Sequence, residues 1–193
     1  MRAGSVDPGY FVDLYRRESD PWKFASSPYE RDKYAASLAV LQPHYERALE
    51  IACSVGVFTR LLARRCGSLL AIDPSPEAVE CARKRCAHLH GVTTRCGAVP
   101  DDYPEGMFDL VTFCEVGFYL VHDDLIETRD RIVASLRAGG QTLLVHWTPP
   151  VQGHAASAAE VHQAFALHPE LRAVAHRDAP TYTLDLFGKV TGM

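Results

Sequence analysis

Two short apolar runs constrain this chain most. Leu49-Glu50-Ile51-Ala52-Cys53-Ser54-Val55-Gly56 runs into a turn of small residues, and Leu69-Leu70-Ala71-Ile72-Asp73 stops at an acid. Together they read as strand, tight turn, helix, strand. The acid lies about 20 residues past Ala52, the spacing at which a strand-end carboxylate meets the hydroxyls of an adenosine ribose. Ala52, Ser54 and Gly56, small at alternate positions, let a ligand approach the backbone. This is the outline of a nucleoside-cofactor site.

The flanking pattern extends the outline into a fold. Ala48–Cys53 reads as strand one, Val57–Arg65 as a helix and Ser68–Asp73 as strand two. Ser75-Pro76 opens a helix through Cys86, with a cap followed by proline at the first turn. Val92–Cys96 is strand three. Phe108–Glu115, nearly all apolar, is a strand buried on both faces. Asp123–Leu136 is a helix with Gly139-Gly140 as its stop. Thr142–Trp147 is strand five, and 158–167 is helical. Leu171–His176 and Thr181–Lys189 form a hairpin about Pro180, so the last strand is antiparallel. The expectation is an α/β, Rossmann-like, seven-stranded, mostly parallel sheet with helices on both faces.

The first 42 residues differ. Tyr10–Arg17 reads as an amphipathic helix and Asp20-Pro21-Trp22 as a turn. Ser27-Pro28-Tyr29-Glu30 opens a second helix, with Ser27 and Glu30 forming a capping box. The 193 residues thus read as one domain, with residues 1–42 a helical lid and 43–193 the core.

Composition removes other classes. A net charge of −4 argues against a nucleic-acid partner. No run reaches the ~18 apolar residues of a membrane span. The six cysteines include no C-x-x-C pair, so no metal is expected. Met1–Asp7 lacks the apolar stretch of a secretory leader, which points to free thiols in the cytoplasm. No G-x-G-x-x-G follows strand one, which disfavours a nicotinamide or flavin.

Glu-Ile-Ala-Cys-Ser-Val-Gly, Ala-Ile-Asp, Phe-Asp-Leu-Val and Leu-Arg-Ala-Gly-Gly, in this order and spacing, resemble the class I S-adenosylmethionine-dependent methyltransferases. Asp20-Pro21-Trp22, Tyr29-Glu30-Arg31-Asp32-Lys33-Tyr34, Arg47–Ile51, Cys114-Glu115-Val116 with Tyr119-Leu120, Val145-His146-Trp147 and Tyr182-x-Leu184-Asp185 resemble a narrower group, the rhizobial nodulation N-methyltransferases. The resemblance spans residues 10–188.

It implies S-adenosylmethionine as cofactor. The turn Ala52, Cys53, Ser54 and Gly56 would hold the methionine and ribose part, and Asp73 the ribose diol. Pro74 and Ser75 would lie beside the adenine, with Ala98 and Val99 at its edge and Cys114 nearby. Trp22, Tyr29 and Arg31 would close over the cofactor, with Arg31 pairing the methionine carboxylate. Two departures stand out. Ala52 replaces the first glycine usual in the class, and Cys96-Gly97-Ala98-Val99 lacks the usual acid.

Methyl transfer from a sulfonium needs alignment and an unprotonated nucleophile. Glu115, at the carboxyl end of strand four, is the first candidate for the substrate ammonium or its proton. Tyr119 is placed to hydrogen-bond the acceptor, and His146 to act as base. Against these stand a capping role for Glu115, a core role for Tyr119 and a satisfied structural role for His146. His122 is read as capping the next helix. His154, His162, His168 and His176 read as surface, as does Arg83-Lys84-Arg85. The acceptor implied by the resemblance is a small molecule carrying an amine, sugar-like or another natural product. The oligomeric state is open. The alternatives are small-molecule O-methylation and a non-catalytic binding protein of the same fold.

Overall fold

The computed structural model describes residues 4–191; Met1–Ala3, the start of the segment read above as lacking a secretory leader, and the last two residues lie outside the described residues. The elements run α1 (Pro8–Arg17), α2 (Pro28–Val40), β1 (Tyr45–Ile51), α3 (Val57–Leu62), β2 (Cys66–Asp73), α4 (Pro76–Cys86), β3 (Val92–Cys96), β4 (Phe108–Cys114), α5 (His122–Ser135), β5 (Leu136–Trp147), α6 (Ala158–Ala166), β6 (Leu171–Asp178) and β7 (Tyr182–Lys189). The strand order is β3-β2-β1-β4-β5-β7-β6. This is the expected seven-stranded Rossmann-like sheet with antiparallel last strands.

The chain divides into two compact units, one of Asp7–Ala98 and one of residues 4–6 with 99–191. In the first, β1 pairs in parallel with β2, with Glu50 opposite Ala71, and β2 pairs in parallel with β3. Ala48, Leu49, Ala71 and Ile72 are fully buried, as strands covered on both faces must be. The N-terminal helices belong to this unit. Tyr15 of α1 packs with Val55 and Ala78, joined by Phe24, Val57 and Cys81.

In the second unit β4 pairs in parallel with β5, and β5 and β6 each pair antiparallel with β7. Phe108, Leu110, Val111 and Phe113 are fully buried. The helix read over Asp123–Leu136 ends at Ser135, close to its expected end, but β5 begins at once at Leu136 rather than at Thr142, so Gly139-Gly140 is not the stop. The stop is a side chain: Lys189 Nζ donates to the carbonyls of Val133 and Leu136 at 2.8 and 3.0 Å. Gly140 lies within β5, where a Cβ would meet the Phe108 carbonyl at 3.1 Å. His122 does not cap α5. The N–H of Val121 donates to Ser5 Oγ at 3.0 Å, and Ser5 Oγ donates to Asp124 at 2.6 Å.

Candidate functional site

The turn after β1 is built from left-handed backbone. Ala52, Ser54 and Gly56 have φ of 60°, 51° and 77°. For Ala52 and Ser54 that conformation costs about 1–2 kcal/mol each, the strain that gathers where a backbone meets a ligand. The methyl of Ala52 is thus accommodated at a position that glycine would occupy without strain. At Gly56 there is no such latitude, because a Cβ would lie 2.6 Å from the Cα of Ala82 in α4. Gly56→Ala is expected to cost roughly 2–5 kcal/mol, from steric overlap with backbone plus positive φ, read as a lower midpoint in urea unfolding.

Asp73 locks the turn. Its Oδ2 accepts the Ser54 N–H at 2.9 Å and its Oδ1 accepts the Ser75 N–H at 3.0 Å. Burial pushes its pKa up to about 6, against the two backbone hydrogen bonds that pull it down. Ser75 is the α4 cap, accepting the Ala78 N–H, and is fully buried; Pro74 is half-buried. The Cys53 N–H donates to the Ile72 carbonyl, and burial raises the Cys53 thiol well above its ordinary range.

The sequence reading missed two supports of this turn. Tyr15 OH shares a hydrogen bond of 2.5 Å with Ser54 Oγ, and burial, then Asp73, raise its phenol. Arg85, read as solvent-facing, is half-buried and donates from Nε to the Val55 carbonyl at 2.7 Å; Arg83 and Lys84 are exposed as expected. Trp22 sits edge-on to Tyr15, with centroids 5.7 Å apart, and stacks on Phe24. Tyr29 lies under Lys33 at 5.2 Å. Arg31 is exposed and pairs with Asp32 at 3.9 Å; the buried cation of α2 is Lys33, bound to Glu30 at 3.0 Å. Ala98 is half-buried at the end of this unit, where Gly97 N–H donates to the Asp73 carbonyl.

Glu50 is 4% exposed in the middle of β1, and burial pushes its pKa up to about 8. A carboxyl raised on folding contributes stability that is fully present below its unfolded value and is lost as pH rises through 8. Wild-type stability is therefore expected to fall between pH 6 and 8, by up to ~1.4 kcal/mol per pH unit. Glu50→Gln removes that slope, which urea unfolding at a series of pH values reads directly.

The second unit carries the acceptor-side candidates. Cys114 is half-buried, its Sγ donating to the Leu143 carbonyl at 3.8 Å. Glu115 follows with φ of 55°. Its N–H donates to the Val145 carbonyl at 2.8 Å, and its Oε2 accepts the Trp147 N–H at 2.8 Å. The carboxylate is thus aimed by the end of β5. Next comes a single turn, Gly117–Tyr119. Phe118 stacks face to face on His154 at 4.1 Å, and Tyr119 meets the same imidazole edge-on at 5.1 Å. His154 is half-buried rather than on the surface, and burial lowers its pKa while Glu115 pulls it up. Val99 is buried in this unit.

His146 is fully buried. Its Nε2 accepts the Gly117 N–H at 3.1 Å, and its Nδ1 lies 3.0 Å from His162 Nε2. His162 Nδ1 is 2.5 Å from Asp185 Oδ2. His162, read as surface, is 7% exposed, because α6 turns it onto the sheet. His176 is exposed as expected.

Residues 11–181 match the family model of nodulation protein S (NodS). The chain belongs to the NodS family. It is 36% identical over 123 residues to nodulation protein S of Rhizobium tropici, covering 61% of this chain and 50% of that one. It is 33% identical over 132 residues to nodulation protein S of Bradyrhizobium diazoefficiens, covering 65% and 61%. The chain spans roughly half to three-fifths of the length of these curated relatives. The N-methyltransferase NodS of Bradyrhizobium japonicum WM9, solved with S-adenosylhomocysteine, superposes with a TM-score of 0.85 at 23% identity, over 95% of this chain and 99% of that one. A putative methyltransferase from Pseudomonas syringae gives 0.75 at 33% identity, over 83% and 99%. NodS membership bears out the resemblance read from the sequence, and the fold is that of the class I methyltransferases. Among the described residues, no helix is long and apolar enough to cross a membrane.

Proposed function

We propose that this chain is an S-adenosylmethionine-dependent N-methyltransferase acting on an amine of a small, sugar-like molecule. The observation that carries the reading is Asp73. It is a buried carboxylate at a strand end, and its two oxygens each take one backbone N–H, from Ser54 within the left-handed turn and from Ser75 at the start of α4. Each carboxylate oxygen has a second acceptor position. Two parallel acceptors at this spacing suit the vicinal hydroxyls of a ribose, so the residues present fit the cofactor. Membership in a family that includes an N-methyltransferase with S-adenosylhomocysteine bound supports the same reading.

When bound, the sulfonium supplies an already activated methyl group. What is left to the protein is binding, alignment and proton control. Asp73 and the turn of Ala52, Cys53, Ser54 and Gly56 serve the nucleoside end, with Trp22 and Tyr15 over the turn. Pro74 and Ala98 serve the adenine by apolar and backbone contact. Arg31, exposed and on a flexible stem, is free to reach the methionine carboxylate; Tyr29 is held by Lys33. On the acceptor side, Glu115, a carboxylate aimed by its bond from Trp147 N–H, can draw the proton from an ammonium and leave the amine lone pair for attack. Tyr119 and the ring of His154 border it and suit the face of a sugar.

Calorimetric titration with S-adenosylhomocysteine, with NAD as control, tests the cofactor. Micromolar binding of the first alone is expected; no binding, or equal binding of NAD, overturns it. Radiolabelled methyl transfer to glucosamine and to deacetylated chitin oligomers tests the acceptor, and label on hydroxylated metabolites but on no amine would replace N- by O-methylation.

A further inference from the structure

A line of polar side chains, buried at its inner end, takes no part in the steps above. His146 of β5, His162 of α6 and Asp185 of β7 are joined end to end, and His176 of β6 closes on the other Asp185 oxygen at 2.7 Å. The sheet register explains the meeting. Leu144 lies opposite Asp185 and His146 opposite Thr183, so His146 and Asp185 point to one face of the antiparallel pair. His176 lies directly opposite Asp185. His162 drops from α6 into the gap.

The hydrogen bonds determine where the protons sit. Gly117 N–H is a donor, so His146 Nε2 must be an unprotonated acceptor. A neutral imidazole then carries its proton on Nδ1, and His146 donates to His162 Nε2. His162 in turn must carry its proton on Nδ1, and it donates to Asp185. Were His162 an imidazolium, His146 would face a donor at each nitrogen with no proton of its own, which no ordinary imidazole can satisfy. Both inner rings are therefore neutral Nδ1–H tautomers. Charge gathers at the outer end. Burial raises the Asp185 carboxyl, but the bonds from His162 and His176 outweigh it and hold it below its ordinary value. The exposed His176 is raised by its bonds to Asp185 and Asp178. Among the described residues no group of three or more His, Cys, Asp or Glu is arranged to hold a metal ion, so the line is a hydrogen-bonded relay.

The inner end of the relay is a backbone amide on the turn that carries Tyr119 and directly follows Glu115. That turn is pressed in place from the same side: a Cβ on Gly117 would lie 2.6 Å from Val161 of α6 and 2.8 Å from Phe113. We propose that Asp185 and His162 are positioning residues, which lock His146 as the Nδ1–H tautomer so that its Nε2 lone pair holds the Gly117 amide and sets Glu115 and Tyr119 for the acceptor. The proposal rests on the reading of Glu115 as the acceptor's proton partner. It also assigns His146 a role different from that of the base expected from sequence, because its lone pair is already given to Gly117.

The test combines a tautomer readout with kinetics. Long-range ¹H–¹⁵N correlation spectra of wild-type protein at neutral pH are expected to show two Nδ1–H imidazoles, assigned to His146 and His162 with H146Q and H162Q. Free histidine favours Nε2–H, so an Nε2–H or imidazolium pattern for His146 overturns the proposal whatever the activity of any variant. His162→Phe keeps a ring of similar size but removes the acceptor for His146. It is expected to shift the Gly117 amide resonance and lower kcat at least tenfold, with S-adenosylhomocysteine affinity within twofold of wild type. His162→Gln, which keeps an oxygen acceptor, should recover most of both. An unmoved Gly117 resonance, or affinity falling in step with kcat, overturns the positioning role. If wild type transfers no methyl group to any amine, the methyltransferase reading fails alone, and the tautomers and the Gly117 resonance still decide the relay.

Discussion

Glu115→Gln is expected to lower kcat for amine methylation by about 10²–10⁴-fold, the usual contribution of a positioned proton acceptor. S-adenosylhomocysteine affinity should change by less than about threefold. The substitution is chosen for what it keeps. Glu115 Oε2 accepts the Trp147 N–H, and its own N–H donates to Val145. A glutamine can make both bonds with its carbonyl oxygen and backbone, so the strained φ of 55° and the turn that follows should survive. Only the ability to take a proton is lost. Steady-state kinetics beside calorimetry separate the roles: equal losses in kcat and cofactor affinity would make Glu115 a cofactor residue. Raising the pH should rescue part of the loss, because a larger fraction of the amine is then unprotonated before it binds.

Asp73→Ala should weaken S-adenosylhomocysteine binding by roughly 1–3 kcal/mol, or about 5- to 150-fold, from loss of hydrogen bonds to a charged acceptor. Unchanged affinity would remove Asp73 from the ribose. Part of the effect is local, because the Ser54 and Ser75 N–H groups lose their acceptor. Asp73→Asn, which can still accept one of them, should bind more tightly than the alanine variant. The wild type carries its own control. The pKa of Asp73 is pushed up to about 6, and ribose hydroxyls donate best to the ionised form. Binding therefore favours the deprotonated carboxylate, and affinity should be level above pH 7 and fall as pH drops below about 6. In the free protein the sign is opposite. A carboxyl raised on folding contributes stability that is present below about 4 and lost as pH rises through 6. Calorimetry from pH 5 to 8 should show the dependence in wild type and lose it in Asp73→Ala.

What the sequence determined was mostly local. A run of apolar residues ending in small ones and another ending in Asp73 can satisfy their backbone only as adjacent parallel strands with a turn between. Two helix starts were legible because their caps are adjacent in the chain: Ser27 and Ser75 each accept an N–H three residues on. The Ala52–Gly56 turn, Asp73 and Glu115 could be named as candidates for the same reason, since each sits at a strand end that apolar patterning marks. The start of β5 was read at Thr142 rather than Leu136, because the stop of α5 is not Gly139-Gly140 but Lys189, 53 residues beyond the carbonyl of Leu136 that it binds. His162 was read as surface, and Asp185 was given no role, for a related reason. No spacing links 146, 162 and 185; only the β5–β7 register and the rotation of α6 bring them onto one face. Tyr15 and Arg85 likewise reach the turn from other elements. A hydrogen bond between distant side chains leaves no periodic mark, because its geometry is set by strand pairing and helix packing. The tertiary structure therefore decided that His146 gives its lone pair to a backbone amide, while the sequence could show only that a histidine stands at the end of a strand.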